Sequence, residues 1–434
     1  MSDTQIPKSD NPRVIIIGGG FAGIQLAKKL RNLPLQIVMF DRNNYHTFQP
    51  LLYQVATSAL EPDSIADPLR KQLEPKNNFY FRMGAVHEID AENNRLSTEI
   101  GEIGYDYLVI ATGSRTNYYG NDSIRDNGLA IKQIPQALDM RSHILQNFEA
   151  ANITEDQEEK ISRMNVVIVG GGPTGVELAG AMGELRKNVL PRDYPELDFS
   201  QMKIILAQAE DRLLPAMSEK SSERALKYLK KFGVDVRLET MVKTYNDNTA
   251  YLNTGDEIRT HTLIWAAGVK GTFPDGLNVK SIANDRILVD RYNCVEGYDN
   301  IFAIGDIASM KSEDYPRGHP MVAPVAMQQG RHLAKNFKNL LNKKPLEPFE
   351  YEDKGTMATI GRNKAVADIG KLRFGGFLAW LIWMFVHLLS IVGFRNRLIV
   401  FSNWVWNYFT YDKGTRLIIR KFDRKNKIQE DVVA

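Results

Sequence analysis

Two glycine clusters at matching spacing carry the first chemical information in this sequence. Gly18-Gly19-Gly20-Phe21-Ala22-Gly23 recurs as Gly170-Gly171-Gly172-Pro173-Thr174-Gly175, 152 residues further on. In such a turn the first glycine permits a tight reversal, the second lets backbone N–H groups reach a pyrophosphate, and the third lets helix pack on strand. The dipole of the helix that starts there favours the phosphate charge. Asp41, 18 residues after Gly23, is placed to accept from ribose hydroxyls. Two complete units in one chain suggest two dinucleotides.

The elements that must hold these turns follow from pattern. Arg13–Ile17 and Gln36–Phe40 are short apolar runs either side of a helical stretch ending near Leu33, a strand–turn–helix–strand unit closed by Asp41. Asn165–Val169 and the segment 202–209 frame the second unit. Tyr107–Gly113 and Leu263–Gly268 are buried-strand runs closing on small-residue turns, and Asn300–Ile304 ends at Gly305-Asp306. Residues 150–163 are expected to be an exposed connector, and 188–200, with Pro191 and Pro195, an inserted loop. The fold class is α/β, with two Rossmann-like dinucleotide-binding domains and a C-terminal amphipathic helical region. The boundaries are 1–118 for the first domain, 119–164 for a connector returning to it and 165–285 for the second domain. Residues 286–350 complete the first domain, and 351–434 form the C-terminal region.

Composition sets further limits. The 434 residues are 43% hydrophobic and 25% charged, a globular balance, and a net charge of +3 gives no case for a nucleic-acid partner. The single cysteine, Cys294, excludes an internal disulfide, a cysteine metal site and a redox cysteine pair. No metal is expected. The polar N-terminus, with no apolar core, leads us to expect no secretory signal and work at the cytoplasmic face of the cell membrane. Residues 371–434 hold 11 Lys/Arg against 4 Asp/Glu, a local charge of +7, and four of the five tryptophans. That is the composition of a membrane-interface segment. The run Phe374–Phe394 lacks formal charge over 21 residues. It admits a spanning helix, an in-plane anchor paired with 395–411, or a buried core helix; the in-plane anchor is expected.

The sequence resembles the two-dinucleotide-binding flavoprotein oxidoreductases, and within them the type II NADH dehydrogenases, which are non-proton-pumping NADH:quinone oxidoreductases. The resemblance rests on Tyr45-His46-Thr47-Phe48-Gln49-Pro50-Leu51-Leu52-Tyr53-Gln54-Val55-Ala56, on Gly172 to Gly180, on Ala323 to Gly330 and on the tail from Gly376. It implies FAD at the first unit, held by Gly18, Gly20, Phe21, Ala22, Gly23, Asp41 and Arg42. Val86, Ala111, Thr112, Gly113, Gly305, Asp306, Val325 and Ala326 complete that set. NADH is implied at Gly170, Gly172, Pro173, Thr174, Gly175, Glu177, Gln208, Ala209 and Gly268, and a homodimer is implied through the C-terminal region.

Two catalytic residues come with the resemblance. Glu177 is the carboxylate that couples proton movement to electron transfer; the competing reading is a first-turn glutamate favoured by the helix dipole. Gln328 matches the second glutamine of the family's quinone pattern Ala-Gln-x-Ala-x-Gln, whereas Pro324 replaces the first; Gln328 as a polar residue capping the helix 329–340 is the alternative. Gln54 or Tyr53 would supply the missing quinone contact. Where relatives place a glutamate that rejects a 2′-phosphate, this chain has Gln208, so NADH is expected with NADPH tolerated. A soluble reductase of a small redox protein and a flavin-bearing interaction protein are the alternatives, and the tryptophan-rich tail argues against the first.

Overall fold

Arg13–Ile17 is buried because it lies at the centre of a five-stranded parallel sheet, in which both faces are covered. The order across this sheet is Ile301–Ala303, Tyr107–Ile110, Arg13–Ile17, Gln36–Asp41, Phe79–Met83. This computed structural model describes residues 4–73, 78–278, 280 and 282–424. A second five-stranded parallel sheet repeats the plan with Leu129–Ala130, Thr262–Trp265, Val166–Val169, Ile204–Ala207 and Asp235–Arg237. Each glycine turn thus follows a central strand and opens where its neighbour strands end, the place where open α/β sheets bind ligands. An antiparallel ribbon of Ser114–Thr116 with Val269–Gly271 ties the two units together.

The helix Phe21–Leu30 packs on Ala323–Leu341 at close range, since a Cβ on Gly330 would stand 2.4 Å from the Ala22 carbonyl oxygen. Strand Ile301–Ala303 pairs with Tyr107–Ile110 at the edge of the first sheet.

Two expectations need correction. The 119–164 segment does not simply return to the first domain: its strand Leu129–Ala130 pairs with Thr262–Trp265 of the second sheet. Its polar end is helical, with Ile134–Ile153 followed by Gln157–Met164, the latter capped by the Asp156 side chain on Glu159 N–H. Most of residues 188–200 is irregular, with one short helix at Leu190–Asp193.

The C-terminal region contains more than helices. Thr356–Gly361, Lys364–Ile369 and Leu372–Gly376 form an antiparallel meander, followed by the helices Phe377–Ser390 and Phe394–Thr410. The uncharged run 374–394 is therefore divided between strand, helix and turn. Gly376 (φ +87°) and Gly393 (φ +89°) make the two breaks in left-handed conformations that suit glycine. Among the described residues no helix is long and apolar enough to cross a membrane. The tail tryptophans also divide: Trp383 and Trp404 are buried, whereas Trp406 is 61% exposed.

Candidate active site

The two glycine turns are built alike. Gly18 (φ +106°) and Gly170 (φ +110°) hold left-handed backbone, and a Cβ on either would strike the next strand's end, at 2.4 Å from Ala111 O and 2.6 Å from Ala266 O. Gly23 and Gly175 allow their helices to seat, because a Cβ there would stand 2.0 Å from Gly18 O and 1.8 Å from Gly170 O. Gly20 and Gly172 differ in kind: nothing lies within 4 Å of a Cβ built on either. No protein atom requires glycine at these positions, and the open space is where a pyrophosphate reaches the helix N-terminus. The residues present fit dinucleotides at both turns.

The second strand of each unit clamps its turn. Gly19 N–H donates to Asp41 Oδ2 at 2.6 Å, and Asn43 N–H donates to Asp41 Oδ1 at 2.7 Å. Gly171 N–H donates to Gln208 Oε1 at 2.8 Å, while Gln208 Nε2 donates to the Arg212 carbonyl at 3.2 Å. Burial raises the Asp41 pKa, opposed by the two backbone donors. Ala209 is exposed beyond the strand, and Pro173 and Thr174 are exposed at the helix start. Gly268 lies against the Tyr119 hydroxyl, which stands 2.3 Å from where its Cβ would be.

Around the first turn lies an open cavity of about 1180 Å³. Gly18, Gly20, Phe21, Ala22, Asp41, Arg42, Ala111, Thr112, Gly113, Gly305, Asp306 and Ala326 all line it. Gly23 sits beneath the turn. Val86 and Val325 are buried, at 0% and 2% exposure, and are not among the residues that line the cavity. Val86 belongs to the core beneath the sheet with Val38 and Phe40. Asp306 accepts from Ser114 Oγ at 2.6 Å and lies 3.9 Å from Lys132 Nζ. His46 donates its Nδ1–H to Gly19 O at 3.1 Å with its ring edge-on to Phe21, and burial pushes its pKa down to about 4.

Glu177 lies elsewhere than its sequence position suggests. It is the fifth residue of the helix Pro173–Asn188, beyond the first turn, so the dipole-stabilised alternative fails. Its side chain is buried and lines a second, open cavity walled by Trp380, Trp383 and Trp404. Its polar partner is Thr359 N–H at 3.4 Å, and burial raises its pKa to about 8. Tyr53 and Gln54 line the same cavity. Gln54 is held at both ends of its amide, accepting from Trp404 Nε1 at 2.8 Å and donating to Tyr53 Oη at 2.9 Å. Among the described residues no acceptor takes the Tyr53 O–H.

Gln328 does not join them. Its Nε2 donates to Glu352 O at 2.9 Å and its Oε1 accepts from Glu352 N–H at 3.0 Å, which turns it toward the 350s segment and away from the cavity. Nor does it cap a helix beginning at 329, since the helix starts at Ala323. The neighbouring Gln329 is wholly buried and accepts from Gly305 N–H at 2.7 Å, fixing the Gly305-Asp306 turn. Pattern reading missed Gln329, Lys132, Thr272 and Lys413; only the doubled Gln328-Gln329 was visible as a signal.

Two dinucleotide turns on paired parallel sheets, with a buried acid beside the second, define a two-dinucleotide flavoprotein oxidoreductase. Residues 12–330 match the pyridine nucleotide-disulphide oxidoreductase family, and residues 354–411 match the NDH2 C-terminal domain. The chain is 35% identical to the type II NADH:quinone oxidoreductase Ndh of Mycobacterium tuberculosis, over 95% of this chain and 92% of that one. It is 30% identical to a probable NADH dehydrogenase of Dictyostelium discoideum, over 91% and 89%. The structure of NDH2 from Plasmodium falciparum in complex with NADH shares the fold, with a TM-score of 0.86 at 20% identity, covering 94% of this chain and all of that one. The chain belongs to the type II NADH:quinone oxidoreductases. It is an NADH:quinone oxidoreductase that works with FAD and NADH.

Proposed function

We propose that the tryptophan-walled cavity is where the quinone headgroup is reduced, with Glu177 as its proton-holding group and Tyr53 as its hydrogen-bond donor. FAD, when bound, supplies the acceptor for the hydride of NADH and passes two electrons on. The chain's own task is position and protons. The observation that carries this reading is Glu177 itself: it stands on the helix launched by the second glycine turn, and it lines the cavity on that helix's far side. Its carboxyl keeps its proton up to about pH 8 because burial penalises the charged form. A neutral acid there is a proton source at the pH of the cell. The Tyr53 hydroxyl, oriented by Gln54 and Trp404, offers its proton toward a carbonyl oxygen in the cavity.

A membrane surface fits beside this cavity. Phe377, Leu381, Phe385 and Leu389 are exposed along one helix, and Phe394, Leu398, Phe401, Val405 and Phe409 along the other. Stripes of this extent favour a lipid boundary over water. The reading adds monotopic attachment at the cytoplasmic face of the inner membrane, with the quinone reaching the cavity from the lipid side. A homodimer through the same region belongs to this reading, tested by light scattering of the detergent-solubilised protein. At the second turn, neutral Gln208 accepts NADH without repelling the 2′-phosphate of NADPH.

Stopped-flow mixing of the flavin-loaded protein with NADH, then with a short-chain quinone, tests the scheme. We expect fast bleaching and fast recovery in the parent protein, and fast bleaching with slow recovery in Glu177→Gln. Equal recovery in both would remove Glu177 from the quinone step. Liposome flotation, lost on replacing Phe385 and Phe401 by Asp, tests the attachment.

A further inference from the structure

The matched family segments end at residue 411, yet the chain continues as an irregular strap along the second nucleotide-binding unit. Arg416 Nε pairs with Asp193 Oδ2 at 2.6 Å, just beyond the Glu177 helix. Arg420 Nη2 pairs with Asp139 Oδ1 at 2.5 Å. Phe422 exchanges two bonds with Gln146, its N–H donating to Oε1 at 2.7 Å and its carbonyl accepting from Nε2 at 3.2 Å, and its ring stands edge-on to His143 at 5.3 Å. Arg424 donates to Tyr245 Oη at 3.2 Å and to His261 O at 2.9 Å.

The pattern is regular on both sides. Asp139, His143 and Gln146 fall at i, i+4 and i+7, one face of the helix Ile134–Ile153. Arg420, Phe422 and Arg424 alternate, so an extended segment turns all three toward that face and toward the hairpin of Val242–Asn246 with Thr249–Leu252, which carries Tyr245. Three arginines of the basic tail are thereby committed to this unit and not to headgroups.

The strap joins two working parts. It leaves the helix Phe394–Thr410, whose Trp404, Asn407 and Tyr408 wall the cavity, and it ends on the unit that carries the second glycine turn. We infer that Arg420, Phe422 and Arg424 are positioning residues: they tension the strap so that the cavity wall keeps its shape against the Glu177 helix. On the proposal that this cavity takes the quinone, the strap governs the quinone half of the reaction, while the glycine turns need none of these contacts and the NADH half is left alone.

The experiment compares the parent, Arg420→Ala/Phe422→Ala/Arg424→Ala and Arg420→Lys, each flavin-loaded in lipid nanodiscs. We expect the triple variant to raise the KM for a short-chain quinone about tenfold, a wall displacement that weakens a fitted site. Flavin content and the rate of bleaching by NADH should stay within about twofold of the parent. Arg420→Lys keeps the ion pair with Asp139 and should hold the parent KM. Hydrogen exchange, read without turnover, should rise in 394–410 as well as in 134–153. An unchanged quinone KM in the triple variant overturns the proposal, as does an equal loss in both half-reactions with loss of flavin, which marks the strap as structural only. Exchange confined to 134–153 also overturns it, because the wall would then not feel the strap.

Discussion

Asp41 and Gln208 occupy equivalent places in two copies of one motif, and each accepts a hydrogen bond from the middle glycine of its turn. The geometry is shared to within 0.2 Å in donor–acceptor distance, 2.6 against 2.8 Å, yet one group is an acid and the other an amide. Holding the turn therefore needs only an acceptor oxygen. Charge is a separate variable, free to be set by the nucleotide. Asp41 also takes Asn43 N–H, an arrangement of an acceptor-only group, whereas Gln208 donates to Arg212 O, which a carboxylate cannot do.

The harshest way to separate the two copies is at the third glycine. Gly175→Ala places a methyl 1.8 Å from Gly170 O, and we expect flavin to be retained while bleaching by NADH falls at least about a hundredfold, roughly 2.7 kcal/mol. Gly23→Ala, at 2.0 Å from Gly18 O, should instead lose the flavin, measured by absorbance after purification. If Gly23→Ala kept its flavin, the equivalence of the copies would break.

Glu177 has no acidic counterpart in the first helix, where residue 25 is Gln. Glu177→Gln is expected to slow quinone turnover about a hundredfold, in the range of a lost proton donor. Its effect on stability has a definite sign. The folded pKa of about 8 lies above the ordinary glutamate value of 4.5, so the native state holds the extra proton across that window and stability falls as pH rises through it. The glutamine variant removes this slope, and its Tm should drop less than the parent's between about pH 6 and about pH 8.

Gln208→Glu sharpens the contrast in charge: the selectivity for NADH over NADPH should rise about tenfold in kcat/KM, or roughly 1.4 kcal/mol. The mildest change is Gly172→Ala. Nothing lies within 4 Å of the new methyl, so thermal stability should hold within about 0.5 kcal/mol while the KM for NADH rises several-fold. A large loss of Tm would show that the second glycine serves the fold and not the phosphates.

The central strands of both sheets were legible because parallel strands buried on both faces are continuous apolar runs, as Val166–Val169 is. Leu129–Ala130 was not, since two residues carry no period and its pairing is decided by a distant strand. The meander Thr356–Gly376 hid behind the expectation of helices. At the site, the glycines and Asp41 could be placed from spacing alone. Gln328 could not: adjacent residues on a helix point about 100° apart, so the resemblance pointed to Gln328 while the helix phase turns its neighbour Gln329, and not Gln328, to the Gly305 turn. Lys413, which lines the tryptophan-walled cavity and whose pKa burial lowers to about 8, sits 236 residues from Glu177, a separation no local pattern bridges.

The helices that wall the cavity with Trp383 and Trp404 are the same helices whose outer sides are apolar and exposed. On the proposed function, any amphiphile that coats those outer sides stands where the quinone would enter. A detergent used to keep the protein in solution thus stands in competition with the acceptor, and it dilutes that acceptor within the micelle. The governing variable in such an assay is the mole fraction of quinone in the amphiphile phase, not its concentration in the tube.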